Sequence, residues 1–168
     1  GIHSSGSLAW EDAATSEAWG GRVVLLRLGY VLAREGGGFA WQLEQARKGK
    51  VAYFGSGSQW LPWVHLDDVV SLILEAIDDT SWSGAYNVVA PETVTARSFA
   101  VALAEATGAP APTSSFRLFA HLFLGAGAPT VLDGRRVVPA RLGERGHAFR
   151  HGDLASAMAA LCSASQAT

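Results

Sequence analysis

Three tyrosines are the first candidates for acid/base chemistry in this chain. A phenol with a pKa near 10 moves a proton at neutral pH only when a neighbouring cation favours its ionised form. A lysine four residues later is one arrangement that does this. Tyr30 is followed at that spacing by Arg34, Tyr53 by Gly57 and Tyr86 by Ala90, so the pair is absent. No serine stands in a G-x-S-x-G elbow, which removes the usual signature of a nucleophilic triad. His147 and His151 are four apart, but Gly152 and an extended stretch surround them, and they read as a surface pair and not as metal ligands. No catalytic residue and no metal ligand is assigned from sequence.

Phosphate binding needs spaced glycines that open a helix and let the backbone approach the ligand. Gly36-Gly37-Gly38 follows a strand at a distance and has no third spaced glycine. Gly55-Ser56-Gly57 begins the right way, but Trp60 stands where the third glycine belongs. Neither loop qualifies as a dinucleotide cradle. What remains is chemistry of binding. Gln59, Trp60, Trp63 and His65 follow a flexible turn and precede a helix, a placement suited to lining a cleft, although two tryptophans so close also suit a core. Arg135 and Arg136 form a pair whose guanidinium forks match carboxylate or phosphate groups, or a solvated surface pair.

These residues need a frame. Residues 22–28 (RVVLLRL) form a near-continuous apolar run, as expected for a strand buried on both faces in a parallel sheet. Further strands are expected at 51–54, 61–66 and 85–89, and at 147–150. Helices are expected at 10–19, 39–48, 68–78, 95–107, 116–124, 140–145 and 153–161. Asp67 is placed to cap the helix over 68–78, whose apolar residues cover most of its circumference and predict burial all round. Thr95 and Gly108 bracket the next helix as N-cap and C-terminal stop, with Phe99, Leu103 and Ala106 as its inner stripe. The alternation predicts an α/β fold. Its two or three strands make a thin sheet, as though part of it were missing.

Composition narrows the class. The chain has 168 residues, 49% hydrophobic and 17% charged, with a formal net charge of −2. It can fill a core, and it carries no basic stripe of the kind that binds nucleic acid. No apolar run reaches the roughly 20 residues of a membrane span, so no membrane partner is expected. The lone Cys162 suits a reducing, cytoplasmic setting. Residues 1–9 read as a tag or fragment edge.

Three stretches together resemble one family. Arg27-Leu28-Gly29-Tyr30-Val31-Leu32 is similar to the R-x-G-x-V-L segment of extended short-chain dehydrogenases/reductases. The run from Gly55 through Gln59, Trp63, Val64, His65, Asp67 and Asp68 resembles the G-x-G-x-Q-x-x-x-W-I-H-x-D-D stretch of a subgroup of NAD-dependent epimerases. Gly84-Ala85-Tyr86-Asn87-Val88-Val89-Ala90-Pro91 resembles that subgroup's G-x-x-N-x-x-A-P strand. The tail, Leu132-Asp133-Gly134-Arg135-Arg136-Val137-Val138-Pro139 followed by Leu142 and Gly146, is similar to its short C-terminal domain of unknown function. Pro62, His147 and the run Gly125-Ala126-Gly127 depart from the subgroup's usual residues.

The resemblance implies a partial Rossmann-like, doubly wound parallel sheet whose N-terminal half is missing, followed by a mostly helical, substrate-side C-terminal region. Residues 10–109 would hold late sheet strands and substrate-domain segments, and residues 110–168 a small helical domain. Arg27 and Tyr30 would lie beside the nicotinamide of NAD or NADP in a full-length parent, and this chain alone would not bind the cofactor. Gln59, Trp60, Trp63, His65, Arg135 and Arg136 would contact a small polar carbonyl or alcohol substrate. Asp67, Asp68, Asn87 and Pro91 would be structural. The alternative is a non-catalytic interaction module, a regulator linked to cell division. In either case the edge left by missing strands predicts self-association, and a possible homodimer, through residues 22–28.

Overall fold

The computed structural model describes residues 2–16, 20–115 and 134–163. In chain order the elements are α1 (Ile2–Ala14), β1 (Val24–Leu28), β2 (Tyr30–Leu32), α2 (Gly37–Arg47), β3 (Ala52–Phe54), β4 (Trp60–Leu61) and β5 (Trp63–His65). There follow α3 (Leu66–Asp78), β6 (Gly84–Val88), β7 (Val94–Thr95), α4 (Ala96–Thr107), β8 (Thr113–Ser115), α5 (Ala140–Glu144) and α6 (Leu154–Ser163). The mixed α/β architecture expected from sequence is present. None of the described helices is long and apolar enough to cross a membrane.

Strands pair in four short ladders. β1 runs parallel to β6, β2 to β5 and β3 to β8, while β4 and β7 are antiparallel. β1 and β2 are one extended ribbon that changes partner at Gly29. There the Gly29 amide donates to the Val88 carbonyl at 3.0 Å, and the next amide, from Tyr30, donates to the Pro62 carbonyl at 2.8 Å. A side chain at Gly29 would meet the Pro62 carbonyl oxygen at 2.8 Å and Val89 at 2.9 Å, so the crossing admits only glycine.

Successive residues of β5 serve two cores, as the period of a strand requires. Trp63, 1% exposed, points into a cluster with Leu32, Phe39, Leu43, Phe99, Leu103 and Met158, built between α2, α4 and α6. Val64, fully buried, points into the other, with Leu72, Trp82, Tyr86, Val88 and Leu142.

Several expectations need correction. The ribbon at 22–28 is not buried on both faces: Leu28 is 51% exposed and Arg27 is exposed, because β1 has a single strand neighbour among the described residues. α3 is not buried all round. Leu66, Val70, Ile73, Leu74 and Ile77 lie exposed along it, while Val69, Leu72 and Ala76 face the core. Its cap is His65, whose Nδ1 accepts from the Asp67 amide at 3.1 Å, and Asp67 stands in the first turn instead. Residues 147–150 form no strand. The first helix spans Ile2–Ala14, not 10–19, and the helix expected at 116–124 lies outside the described residues. In α4, Ala100 and Ala104 join Phe99 and Leu103 in the core, and Ala106 is exposed.

Asp68 ties the second half of the chain to the first. It is 2% exposed, and its carboxylate accepts from the Arg150 amide at 2.7 Å and the His151 amide at 3.1 Å. Removing it takes the acceptor from two part-buried amides. Asp68→Ala is expected to cost about 3 kcal/mol, given that hydrogen bonds to charged groups contribute about 1.5–3 kcal/mol each. Urea unfolding followed by tryptophan fluorescence measures this, and an Asp68→Asn variant, which keeps one acceptor, is expected to fall between the two.

Candidate functional site

The predicted residues divide among three places. Trp60, Arg135 and Arg136 come together. Gly134 lies so close to β4 that a Cβ there would sit 1.9 Å from the Trp60 carbonyl oxygen, and this approach brings Arg136 to the indole. The Arg136 guanidinium stands 5.6 Å from the Trp60 ring centroid, within cation–π range, and its Nε donates to Thr93 Oγ1 at 3.4 Å. Arg135 is exposed on the rim of the same crevice, which Pro62, Glu92 and Thr93 also line. The crevice holds about 10 Å³, the space of a single water and not of a substrate. Arg136 over the indole, with Arg135 exposed at the rim, offers guanidinium forks of the kind that suit planar anionic groups.

His65 belongs to a second cluster at the start of α3. Its ring stacks on that of His151, with centroids 3.9 Å apart, and Asp67 and Arg150 complete the group. Burial holds the His65 pKa below the ordinary imidazole value, and the His151 charge adds to this, while Asp67 and Asp68 pull in the opposite direction. The neutral ring this favours is the form that accepts from the Asp67 amide.

Arg27 and Tyr30 lie at the carboxyl end of β1 and just beyond it, the end at which open α/β sheets bind ligands. Arg27 forms a fork with Glu11 of α1, Nε to Oε1 at 2.8 Å and Nη2 to Oε2 at 2.6 Å. Tyr30 donates to Gln42 Oε1 at 2.9 Å, and burial pushes its pKa up to about 12. It stays protonated at neutral pH and can donate a hydrogen bond without acting as a base.

Other predicted residues hold the frame. Trp63 is buried, its indole donating to the Glu92 carbonyl at 3.2 Å. Gln59 donates to the Phe54 carbonyl at 3.1 Å, closing its own turn. Asn87 reaches the Val138 carbonyl at 3.5 Å, and Pro91 abuts Gly152.

His147 and His151 are not the surface pair expected from sequence: their side chains are 3% and 12% exposed, and they belong to two separate groups that sequence reasoning did not assemble. Arg150 and His151 enter through the Asp68 contact, which joins positions 83 residues apart and has no local signal. The other group lines a groove of about 500 Å³ on the outer side of α3, among Ser71, Glu75, Asp78, Trp82, Arg145 and His147. There His147 Nδ1 pairs with Glu75 at 2.9 Å, while its buried Nε2 has no hydrogen-bond partner among the described residues.

Comparison with known proteins places this geometry. Residues 8–89 match the NAD dependent epimerase/dehydratase family, and residues 116–161 match a domain of unknown function, DUF1731. The chain is 35% identical over 154 residues to an epimerase family protein of Arabidopsis thaliana, the chloroplastic SDR39U1 homolog, covering 90% of this chain and 44% of that protein. It is 34% identical over 155 residues to an epimerase family protein of Staphylococcus aureus, covering 89% of this chain and 50% of the other. The crystal structure of human epimerase family protein SDR39U1 with NADPH superposes with a TM-score of 0.81 at 29% identity, over 85% of this chain and 49% of that one. The chain thus spans about half the length of the relatives it matches. The fold, the two matched segments and the relatives agree: the chain joins a segment of the NAD dependent epimerase/dehydratase family to the DUF1731 domain, and its homologues are epimerase family proteins.

Proposed function

We propose that this chain is the substrate-side part of an NAD(P)-dependent epimerase or oxidoreductase that acts on a small polar carbonyl or alcohol bearing an anionic group. The observation that carries this reading is the gathering of Arg135 and Arg136, from the tail, against Trp60, from the loop before α3. Its support is the family match and the NADPH-bound human relative.

The described residues do not by themselves fit a dinucleotide. The glycine run that opens α2 packs its third member toward Tyr30, where a Cβ on Gly38 would stand 3.1 Å from the phenol oxygen, and no spaced third glycine follows. No chemical step is therefore derived through the cofactor. In a longer protein, Arg27 and Tyr30 would meet the cofactor's reactive end at the edge of β1, with Tyr30 donating from a protonated phenol. Trp60, Arg135 and Arg136 would orient the substrate by its anionic group.

The open edge of β1 and the exposed face of α3 are surfaces that the remainder of a longer family protein would cover. Left bare, they favour self-association. A second reading, an interaction module, draws on the same exposed face of α3.

Three outcomes test these readings. Titrating the 168-residue chain with NADPH, followed by nucleotide fluorescence, is expected to show no saturable binding; micromolar affinity would overturn the division of labour. In a full-length protein carrying this segment, Arg135→Ala with Arg136→Ala is expected to raise KM by about tenfold or more, since a lost charge-assisted bond is worth about 1.5–3 kcal/mol. NADPH affinity should stay unchanged, and a fall in that affinity instead would move the arginines to the cofactor. In sedimentation velocity the isolated chain is expected to associate with rising concentration, and Leu74→Glu with Ile77→Glu to reduce that association. A chain that stays monomeric throughout would remove self-association from the account.

A further inference from the structure

Among the described residues, one group of histidines and carboxylates converges. His65, Asp67 and His151 each present a ligand atom, all within 4.8 Å of one another. Asp67 Oδ2 lies 3.8 Å from His65 Nδ1 and 3.6 Å from His151 Nε2. Two zinc–ligand bonds of about 2.1 Å at a tetrahedral angle place their donor atoms about 3.4 Å apart. Both carboxylate–imidazole separations are therefore within a few tenths of an ångström of a coordinating geometry. We propose that His65, His151 and Asp67 form a binding site for a divalent transition-metal ion of the zinc type, with a fourth position left to water.

The chemistry of each donor fits. His65 Nδ1 accepts a hydrogen bond, so its lone pair is free of a proton and the ring hydrogen sits on Nε2, the tautomer that Nδ1 coordination requires. His151 is held from behind, because the Asp68 carboxylate fixes its backbone amide and that of Arg150. That contact fixes the backbone from which the imidazole projects. Asp67 is half exposed, which gives the ion a route from solvent. Two imidazoles and a carboxylate suit zinc, nickel or cobalt better than calcium or magnesium, which prefer all-oxygen shells.

Three features oppose the ion. Arg150 Nη1 lies 3.8 Å from Asp67 Oδ2, but its side chain is 75% exposed and can swing into water. The Asp67 amide must give up His65 as its acceptor. The amino end of α3 carries the positive end of the helix dipole, which Asp67 and Asp68 offset. Together they weaken the site relative to one whose ligands are already free and oriented. The site stands on this chain's own residues and is independent of the cofactor reading.

Isothermal titration of the chain with Zn²⁺ tests the site. One ion per chain is expected at micromolar affinity, weakened at least about tenfold by His151→Ala and by Asp67→Asn, and unchanged by Cys162→Ser. The absence of saturable binding, or full binding in both site variants, would overturn the proposal. Imidazole nitrogen spectra of the unaltered chain decide the matter even where a variant fails to fold. Zn²⁺ is expected to shift the His65 and His151 resonances and leave His147 in place, and unmoved His65 and His151 signals would sink the site.

Discussion

The fold depends on a crowded point where three backbone segments meet. At Gly29 the ribbon of β1 and β2 leaves β6 for β5, with consecutive amides bonded to Val88 and Pro62. The approach is too close for a side chain, with Pro62 and Val89 both within 2.9 Å of where a Cβ would lie. Because this junction fixes the position of β5, it also fixes which core receives Trp63 and which receives Val64. The predicted binding residues of the first segment are then placed by their distance along the chain from that crossing. Trp60 lies just before β5, His65 at its end, and Arg27 and Tyr30 on either side of Gly29.

Much of this frame is legible in local sequence. Thr95 and Gly108 bound α4 because capping and left-handed termination are chemistry of a single turn: Thr95 Oγ1 accepts from the Ser98 amide, and Gly108 has φ of 68°. The same logic misassigned the cap of α3. Asp67 is the stronger acceptor by type, but the extended backbone of β5 ends at His65, with ψ of 144°, and the residue at that boundary caps the helix whatever its side chain. The exposed face of α3 was illegible for another reason. A helix apolar on most sides announces that it will be covered, and nothing in its own residues says by what.

Convergence across the chain is beyond local reading. His151 was weighed against His147, its neighbour in sequence, whereas the fold sets the two apart. His151 stacks on His65, and His147 turns to Glu75 and Phe149. What divides them is Asp68, which bonds the backbone at 150 and 151 and so brings one imidazole to the start of α3. A buried carboxylate beside an exposed one, Asp68 beside Asp67, thus performs two tasks. The first anchors a distant segment, and the second, half exposed, faces His65, Arg150 and His151.

The same contacts explain why the two matched segments occur together. The described part of the DUF1731 segment completes the first segment's core instead of adding a separate body. Leu142 is fully buried against Val88 and Tyr86, and Leu154 and Met158 enter the cluster of Phe39, Trp63 and Phe99. Arg141 crosses to the β6 side, donating to the carbonyls of Ser83 and Ala85 and to the Tyr86 hydroxyl, with its guanidinium 4.0 Å over the Tyr86 ring. Stripped of residues 134–163, the epimerase-like segment would expose both apolar clusters, and Asp68 would lose the amides that its burial requires. A tail anchored to the core at so many points is fixed in its backbone path, and this sets Arg136 over Trp60 with Arg135 on the rim beside it. The position of the proposed recognition residues and the stability of the frame therefore rest on one physical arrangement.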